Sequence, residues 1–368
     1  MRAVLSCILF LLYSVISTAE AQYIYTPAQP LYKADTVKIC VVGDMMMHAK
    51  QIETARKNDG SYDFSSYFTY IQDRINSADL AIANMEFTLG GEPYSGYPAF
   101  SAPDSYAEHL AESGFDVFLT ANNHIFDKGG AGAERTLKIY RELEKKYGIR
   151  ICGLAENPDV RAESMPLKTL IKGMRIALVN FTYGTNLGSG THWPKTNYMN
   201  DYALIKDALD KSADCDMTMV LPHWGAEYSL THSKEQETLA MKLAQDGADI
   251  IIGAHPHVVQ DYGTLTENGV PVIYSLGNCI SNMSAANTQI GLMAEVRLAR
   301  KLNGDIEMLP VKFTCLWCSR PGGLTSSYTV IPVKEFIGKK ELWKGGWEYD
   351  KMISTYERVL KITGIEDN

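Results

Sequence analysis

Apolar and polar positions follow two rhythms along this chain. Compact apolar runs at residues 37–42, 79–83, 115–120 and 149–152 are bounded by polar or glycine-containing stretches and predict buried strands. Between them, residues 65–76, 103–113 and 130–147 carry helical spacing, the last with Leu137, Tyr140 and Leu143 recurring every three positions. Pro103 opens the second of these helices, where its missing N–H costs nothing. Further on, Lys172-Gly173-Met174 separates two short runs at 168–171 and 175–180 and predicts a hairpin. The Gly-, Thr- and Asn-rich stretch 183–199 reads as a long loop. Helices are expected at 202–212, 234–245 and 352–362. Strands are expected at 216–221, 249–252, 272–275 and 292–297, with β-structure and turns over 306–331. Strand–helix alternation followed by a run of strands predicts a layered α/β fold with helices covering the sheet faces.

The first 35 residues keep neither rhythm. Met1-Arg2 is positively charged, an apolar run extends from Ala3 to Ile16, and Ala19 and Ala21 put small residues where a signal peptidase reads. Residues 1–21 are therefore expected to be a secretory signal cleaved before Gln22, the apolar run being shorter than the ~20 residues of a membrane span. Pro27 and Pro30 mark 22–35 as a linker, leaving a folded domain over 36–335 and a helical extension over 336–368. No later segment reads as a transmembrane span, so the expected location is the periplasm or the cell surface.

Composition changes this picture in two places. The formal net charge of -8 argues against nucleic-acid binding by bulk electrostatics. It also means that an anionic substrate needs bound cations to reverse the local field. Beyond the expected signal lie Cys40, Cys152, Cys215, Cys279, Cys315 and Cys318, four of them in or beside apolar runs that suit buried free thiols. Cys315 and Cys318 form a CxxC with no second pair and no adjacent histidines, which argues against structural zinc and leaves a local disulfide open.

Candidate chemistry sits just after the expected strands. Asp44, with His48 four residues on, follows the first; Asn84 and Glu86 follow the second; Asn122, Asn123, His124 and Asp127 follow the third. His223 and Glu227 come after 216–221, His255 and His257 after 249–252, and Asn278 after 272–275. Functional groups in such folds gather beyond the carboxyl ends of strands, so these residues should converge. Singly, each has a plainer reading: an aspartate as a turn or cap residue, a histidine as a structural hydrogen-bonder. Six strand ends of the same kind make coincidence a poor account. Carboxylates, an amide oxygen and imidazoles suit zinc, manganese or iron. Two such cations ~3.5–4 Å apart hold a nucleophile and clamp a leaving oxygen. His109 and His232 read as surface residues, His192 as a candidate substrate contact, and Met45–Met47 as core packing.

Taken in order, Gly43-Asp44, Asn84-Met85-Glu86, Asn122-Asn123-His124 with Asp127 and Gly129, His223-Trp224-Gly225 with Glu227-Tyr228, Gly253 with His255-Pro256-His257-Val258, and Tyr274-Ser275-Leu276-Gly277-Asn278 resemble a known signature. It is that of the CapA (poly-γ-glutamate capsule biosynthesis) family within the calcineurin-like metallophosphoesterases, and the likeness covers about residues 37–300. The resemblance implies a four-layer αββα sandwich, metallo-dependent phosphatase-like. It implies that Asp44, Glu86, Asn123, His223, His255 and His257 hold one or two divalent metal ions. His124 would then protonate the leaving group, with Asp127 orienting it. Asn84, Glu227 and Asn278, and His48 where it reaches, would support the ligands. The wider superfamily opens with Asp-x-His, whereas Asp44 is followed by Met45 and Met46. Glu86 stands where a bridging aspartate is usual.

Two functions follow as expectations. One is an exported hydrolase of capsule or envelope polymer biosynthesis, using metal-bound hydroxide on a phosphoester or a γ-glutamyl amide bond. The other is a non-catalytic accessory that grips an anionic polymer through bound metal. The loop 183–199, with Tyr183, His192 and Trp193, is expected to frame the pocket.

Overall fold

The structure, a computed structural model, describes residues 36–188, 192–265 and 269–368; the expected signal and linker lie outside the described residues. Four strands alternate with helices in the first half: β1 (Thr36–Met45), β2 (Leu80–Met85), β3 (Val117–Leu119) and β4 (Arg150–Cys152). Next come β5 (Leu154–Ala155), the hairpin β6 (Leu167–Ile171) and β7 (Met174–Thr182), and β8 (Lys195–Thr196). The second alternating stretch holds β9 (Met217–His223), β10 (Ile250–Ile252), β11 (Tyr262–Thr264) and β12 (Pro271–Ile273). The last group is β13 (Asn278–Ile280), β14 (Ile290–Arg300), β15 (Ile306–Ser319) and β16 (Thr329–Pro332).

These strands form two large sheets. One runs β16-β15-β14-β1-β2-β3-β4 with β13 also paired to β1; the other runs β11-β12-β10-β9-β7-β6, and β5-β8 is a small separate pair. β1 to β4 are mutually parallel, as are β7, β9, β10 and β12.

Side-chain alternation explains why the sheets stack. On β1, Val37, Ile39 and Val41 join the core between the sheets, while Cys40 and Val42 face an outer cluster. On β9, Met217, Met219 and Leu221 face inward and Val220 outward. Helices cover both outer faces. α1 (Asp104–Glu112) and α2 (Gly129–Tyr147) bury Tyr106, Leu110, Leu137 and Tyr140 against the first sheet. α3 (Tyr202–Lys211) and α4 (Lys234–Gln245) bury Ile205, Leu209, Ala240 and Leu243 against the second. Three apolar layers between four layers of secondary structure make the αββα sandwich that the resemblance implies. The last helix, α5 (Gly346–Thr363), places Met352, Tyr356 and Val359 in the inter-sheet core itself. Among the described residues no helix is long and apolar enough to cross a membrane.

Two expectations need correction, and the disulfide left open between Cys315 and Cys318 is not formed. Only Gln72–Asn76 of the expected helix 65–76 is helical, because Tyr67 gives its carbonyl to the β16 amide of Val330 at 2.8 Å rather than to a following turn. Cys315 and Cys318 are free thiols; they lie three apart on β15, so one faces the inter-sheet core and the other the outer cluster. His109 and His232 are half-buried rather than free on the surface. His109 stacks on Phe68, and His232 stacks on Tyr274 with Asp261 Oδ2 2.7 Å from its Nδ1.

Candidate metal centre

Parallel strands in both sheets end at one pole of the sandwich, and the candidate residues meet there. β1 and β2 bring Asp44, Asn84 and Glu86; the turn after β3 brings Asn123 and His124. From the second sheet, β9 ends on His223 and the turn after β10 supplies His255 and His257. Close backbone approach makes this meeting possible. A side chain at Gly43 would place Cβ 1.8 Å from the Gly277 carbonyl oxygen, and one at Gly253 would lie 2.1 Å from that of Tyr274. His255 and His257 both hold positive φ, +99° and +58°, a conformation uncommon for non-glycine residues.

Glu86 lies at the middle of the cluster. It is fully buried, and neither carboxylate oxygen has a hydrogen-bond partner. His223 Nε2 and His257 Nε2 approach the same oxygen, Oε1, at 3.7 and 3.6 Å, too far to hydrogen-bond but right for ligands that share an ion. Two ligand groups meet at this residue, Asp44–Glu86–His257 and Glu86–His223–His255, with donor atoms within 4.8 Å of one another in each. Asn123 Oδ1, 2.9 Å from His223 Nε2, adds an amide oxygen to the second. A third group joins Glu227 to His255 and His257.

Electrostatics agree with a cation site. Burial, then the neighbouring Asp44 charge, pushes the Glu86 carboxyl well above its ordinary range. Burial and the adjacent imidazoles hold His223 well below the usual histidine value and His255 down to about 3. Neutral imidazoles are the ligand-competent form. The Nδ1 of His255 is buried without a partner. A buried carboxyl whose oxygens have no partner, beside an imidazole nitrogen with none, is costly alone, and a divalent cation would satisfy both.

Neighbouring side chains hold the candidate ligands in place. Asn84 donates its amide to Asp44 Oδ1 at 2.7 Å, and Asn278 Oδ1 lies 3.0 Å from His257 Nδ1. His124 Nδ1 lies 2.7 Å from Asp127 Oδ2, and that oxygen also accepts the Phe100 amide at 2.8 Å. His48 stands apart from all three ligand groups: its Nδ1 is near Gln51 Oε1 and accepts the Asn282 amide, and burial holds it at about 4. Glu227 is exposed at the rim.

A cavity of about 280 Å³ opens onto the centre between His124, His257, Met46, Tyr97 and Tyr228. Met45 and Met47 are core residues as expected, but Met46 also lines this cavity. Of the loop 183–199, Tyr183 packs its ring 4.4 Å from that of His255. Trp193 lies in a different groove, beside Glu134 and Arg141, and His192 is exposed. Sequence reasoning missed Asn186, whose side-chain amide nitrogen lies 3.3 Å from His124 Nδ1 and whose backbone amide donates to Asn123. It also missed Tyr97, from a stretch without strand or helix signal.

Comparison with known proteins places these residues in context. The family model described as bacterial capsule synthesis protein PGA_cap matches residues 38–283. The chain is 28% identical over 292 residues to the capsule biosynthesis protein CapA of Bacillus anthracis, spanning 75% of this chain and 67% of that protein. It is 25% identical over 297 residues to the PGA biosynthesis protein CapA of Bacillus subtilis (strain 168), spanning 78% and 74%. Among solved structures it is similar to a novel phosphatase of Mycoplasma pneumoniae, at 16% identity and a TM-score of 0.45, over 77% of this chain and 94% of that one.

Proposed function

The chain belongs to the bacterial capsule synthesis family PGA_cap, and from that premise we propose that it is an exported metal-dependent hydrolase of capsule or envelope polymer biosynthesis. Its bond would be a phosphoester or a γ-glutamyl amide. The observation that carries the reading is Glu86, a buried carboxylate without hydrogen-bond partners at the junction of two ligand groups. Asp44, Glu86 and His257 would hold one cation, and Glu86, Asn123, His223 and His255 the other. Divalent cations, when bound, supply an activated water and a clamp for developing negative charge.

The chain's own residues do the rest. Asp127 accepts from His124 Nδ1, which leaves Nε2 as the nitrogen free to carry a proton to a leaving group in the cavity. Asn84 and Asn278 keep Asp44 and His257 in place for binding. Polymer binding alone needs no such aligned acid, which is why hydrolysis leads over a purely accessory role.

The test begins with metal content by mass spectrometry on the chain from Gln22, with Glu86→Ala and His255→Ala alongside. About two ions per chain, reduced in both variants, support the reading. Wild-type protein that takes up no zinc, manganese or iron overturns it. His124→Ala should keep its metal and lose ~10²–10⁴-fold in turnover of phosphoester or γ-glutamyl substrates. Intact metal binding with no hydrolysis of either class would favour the accessory role.

A further inference from the structure

The ligand groups Glu86–His223–His255 and Asp44–Glu86–His257 each have an amide oxygen close by. Asn123 Oδ1 lies 2.9 Å from His223 Nε2, and Asn84, bonded to Asp44, has a buried amide oxygen without a partner. A catalytic site of this kind keeps a further position open to water or substrate. Met46 offers only a thioether, a soft ligand, and His48 lies outside the ligand groups with its Nδ1 engaged by Gln51 and Asn282.

Glu227 remains. One of its carboxylate oxygens lies within 4.8 Å of a ring nitrogen of both His255 and His257. Both histidines are buried, and His255 Nδ1 has no partner, so a donor set faces the position where Glu227 points. The carboxylate differs from every other candidate ligand in being exposed. It rides on a turn between Gly225 (φ +89°) and Tyr228 (φ +68°), and the Tyr228 amide donates to the Pro256 carbonyl at 2.9 Å. That bond ties the turn to the His255–His257 loop while leaving the Glu227 side chain unburied.

We propose that Glu227 is an exchangeable ligand for a divalent cation, joining His255 and His257 from the solvent side. It holds the ion in the resting protein and yields its position to an anionic oxygen of the substrate. A buried ligand could not leave without exposing a cavity; an exposed one leaves at little cost. This inference rests on the metal-centre reading above.

Mn²⁺ titration of the metal-free chain, followed by electron paramagnetic resonance, tests it in wild type and Glu227→Gln. The expected result is one site weakened by ~10–100-fold and the other unchanged. Inorganic phosphate should also bind the Mn²⁺-loaded variant more tightly than wild type, because the competing carboxylate is gone. Identical Mn²⁺ isotherms would overturn the proposal, and so would equal weakening of both sites, which marks a general electrostatic effect. Wild-type protein that binds no Mn²⁺ at all would instead bring down the metal-centre reading, and this inference with it. The unfolding midpoint of the metal-free variant should match wild type, since the side chain is exposed.

Discussion

Within the centre, each side chain's surroundings decide what it can do. Asp127 is the clearest case: buried beside His124, its one oxygen receives both the imidazole and the Phe100 amide. Replacing it with asparagine keeps the shape and removes an acceptor that holds the imidazole in one orientation. Asp127→Asn should therefore leave metal content intact and lower turnover by roughly 10–100-fold. Unchanged turnover would mean that Asp127 only shapes the loop. Gly43 makes a different kind of contribution. Its missing side chain lets β1 approach Gly277, and a Cβ there would sit 1.8 Å from a backbone oxygen that cannot rotate away. Gly43→Ala should cost ~1–3 kcal/mol in urea unfolding and disturb Asp44 next to it.

At the scale of elements, the strands were legible because burial on both faces leaves an uninterrupted apolar run, as in 37–42. The helix expected at 65–76 shows the limit. Phe64, Tyr67, Phe68 and Ile71 recur at helical spacing and are all buried, yet the Tyr67 carbonyl serves the edge of a strand more than 250 positions later. Spacing records which side chains are buried, not which backbone groups pair. The last helix offers a test of pairing across elements. Glu348 at its start is buried and accepts from the Ser319 hydroxyl, the Arg320 amide and the Gln289 side chain. Burial raises its carboxyl above the usual value, with those donors pulling partly back. A raised folded value favours the protonated form, so that contribution is present at low pH and lost as pH rises through the folded value. Glu348→Gln stays neutral, and its unfolding free energy should gain on wild type between about pH 4 and pH 7. A gap that does not change with pH would show that the donors cancel the cost of burial.

Across the whole molecule, the convergence of the candidate residues was readable further than the architecture that holds them. Asp44, Glu86, Asn123, His223, His255 and His257 each follow an apolar run, and one rule about strand ends gathers them. That rule does not say which strands lie side by side. β1 takes β13 and β14 as partners from more than 230 positions away, pairings that depend on the folded sandwich and leave no local mark. The same holds for the C-terminal residues, whose helical pattern is plain but whose destination is not. Met352, Tyr356, Val359 and Ile365 enter the core between the sheets, and the Asn368 amide bonds to the Phe313 carbonyl at 2.8 Å. Burying four such side chains contributes on the order of 10 kcal/mol. The net stability of a domain is only ~5–15 kcal/mol. A chain ending before Gly346 should therefore fail to give a cooperative unfolding transition and should aggregate on size-exclusion chromatography, even though it keeps every candidate metal ligand. If the shortened chain instead unfolds cooperatively and binds metal as the full chain does, the two sheets close without the helix, and residues 346–368 are an appendage to a core complete without them.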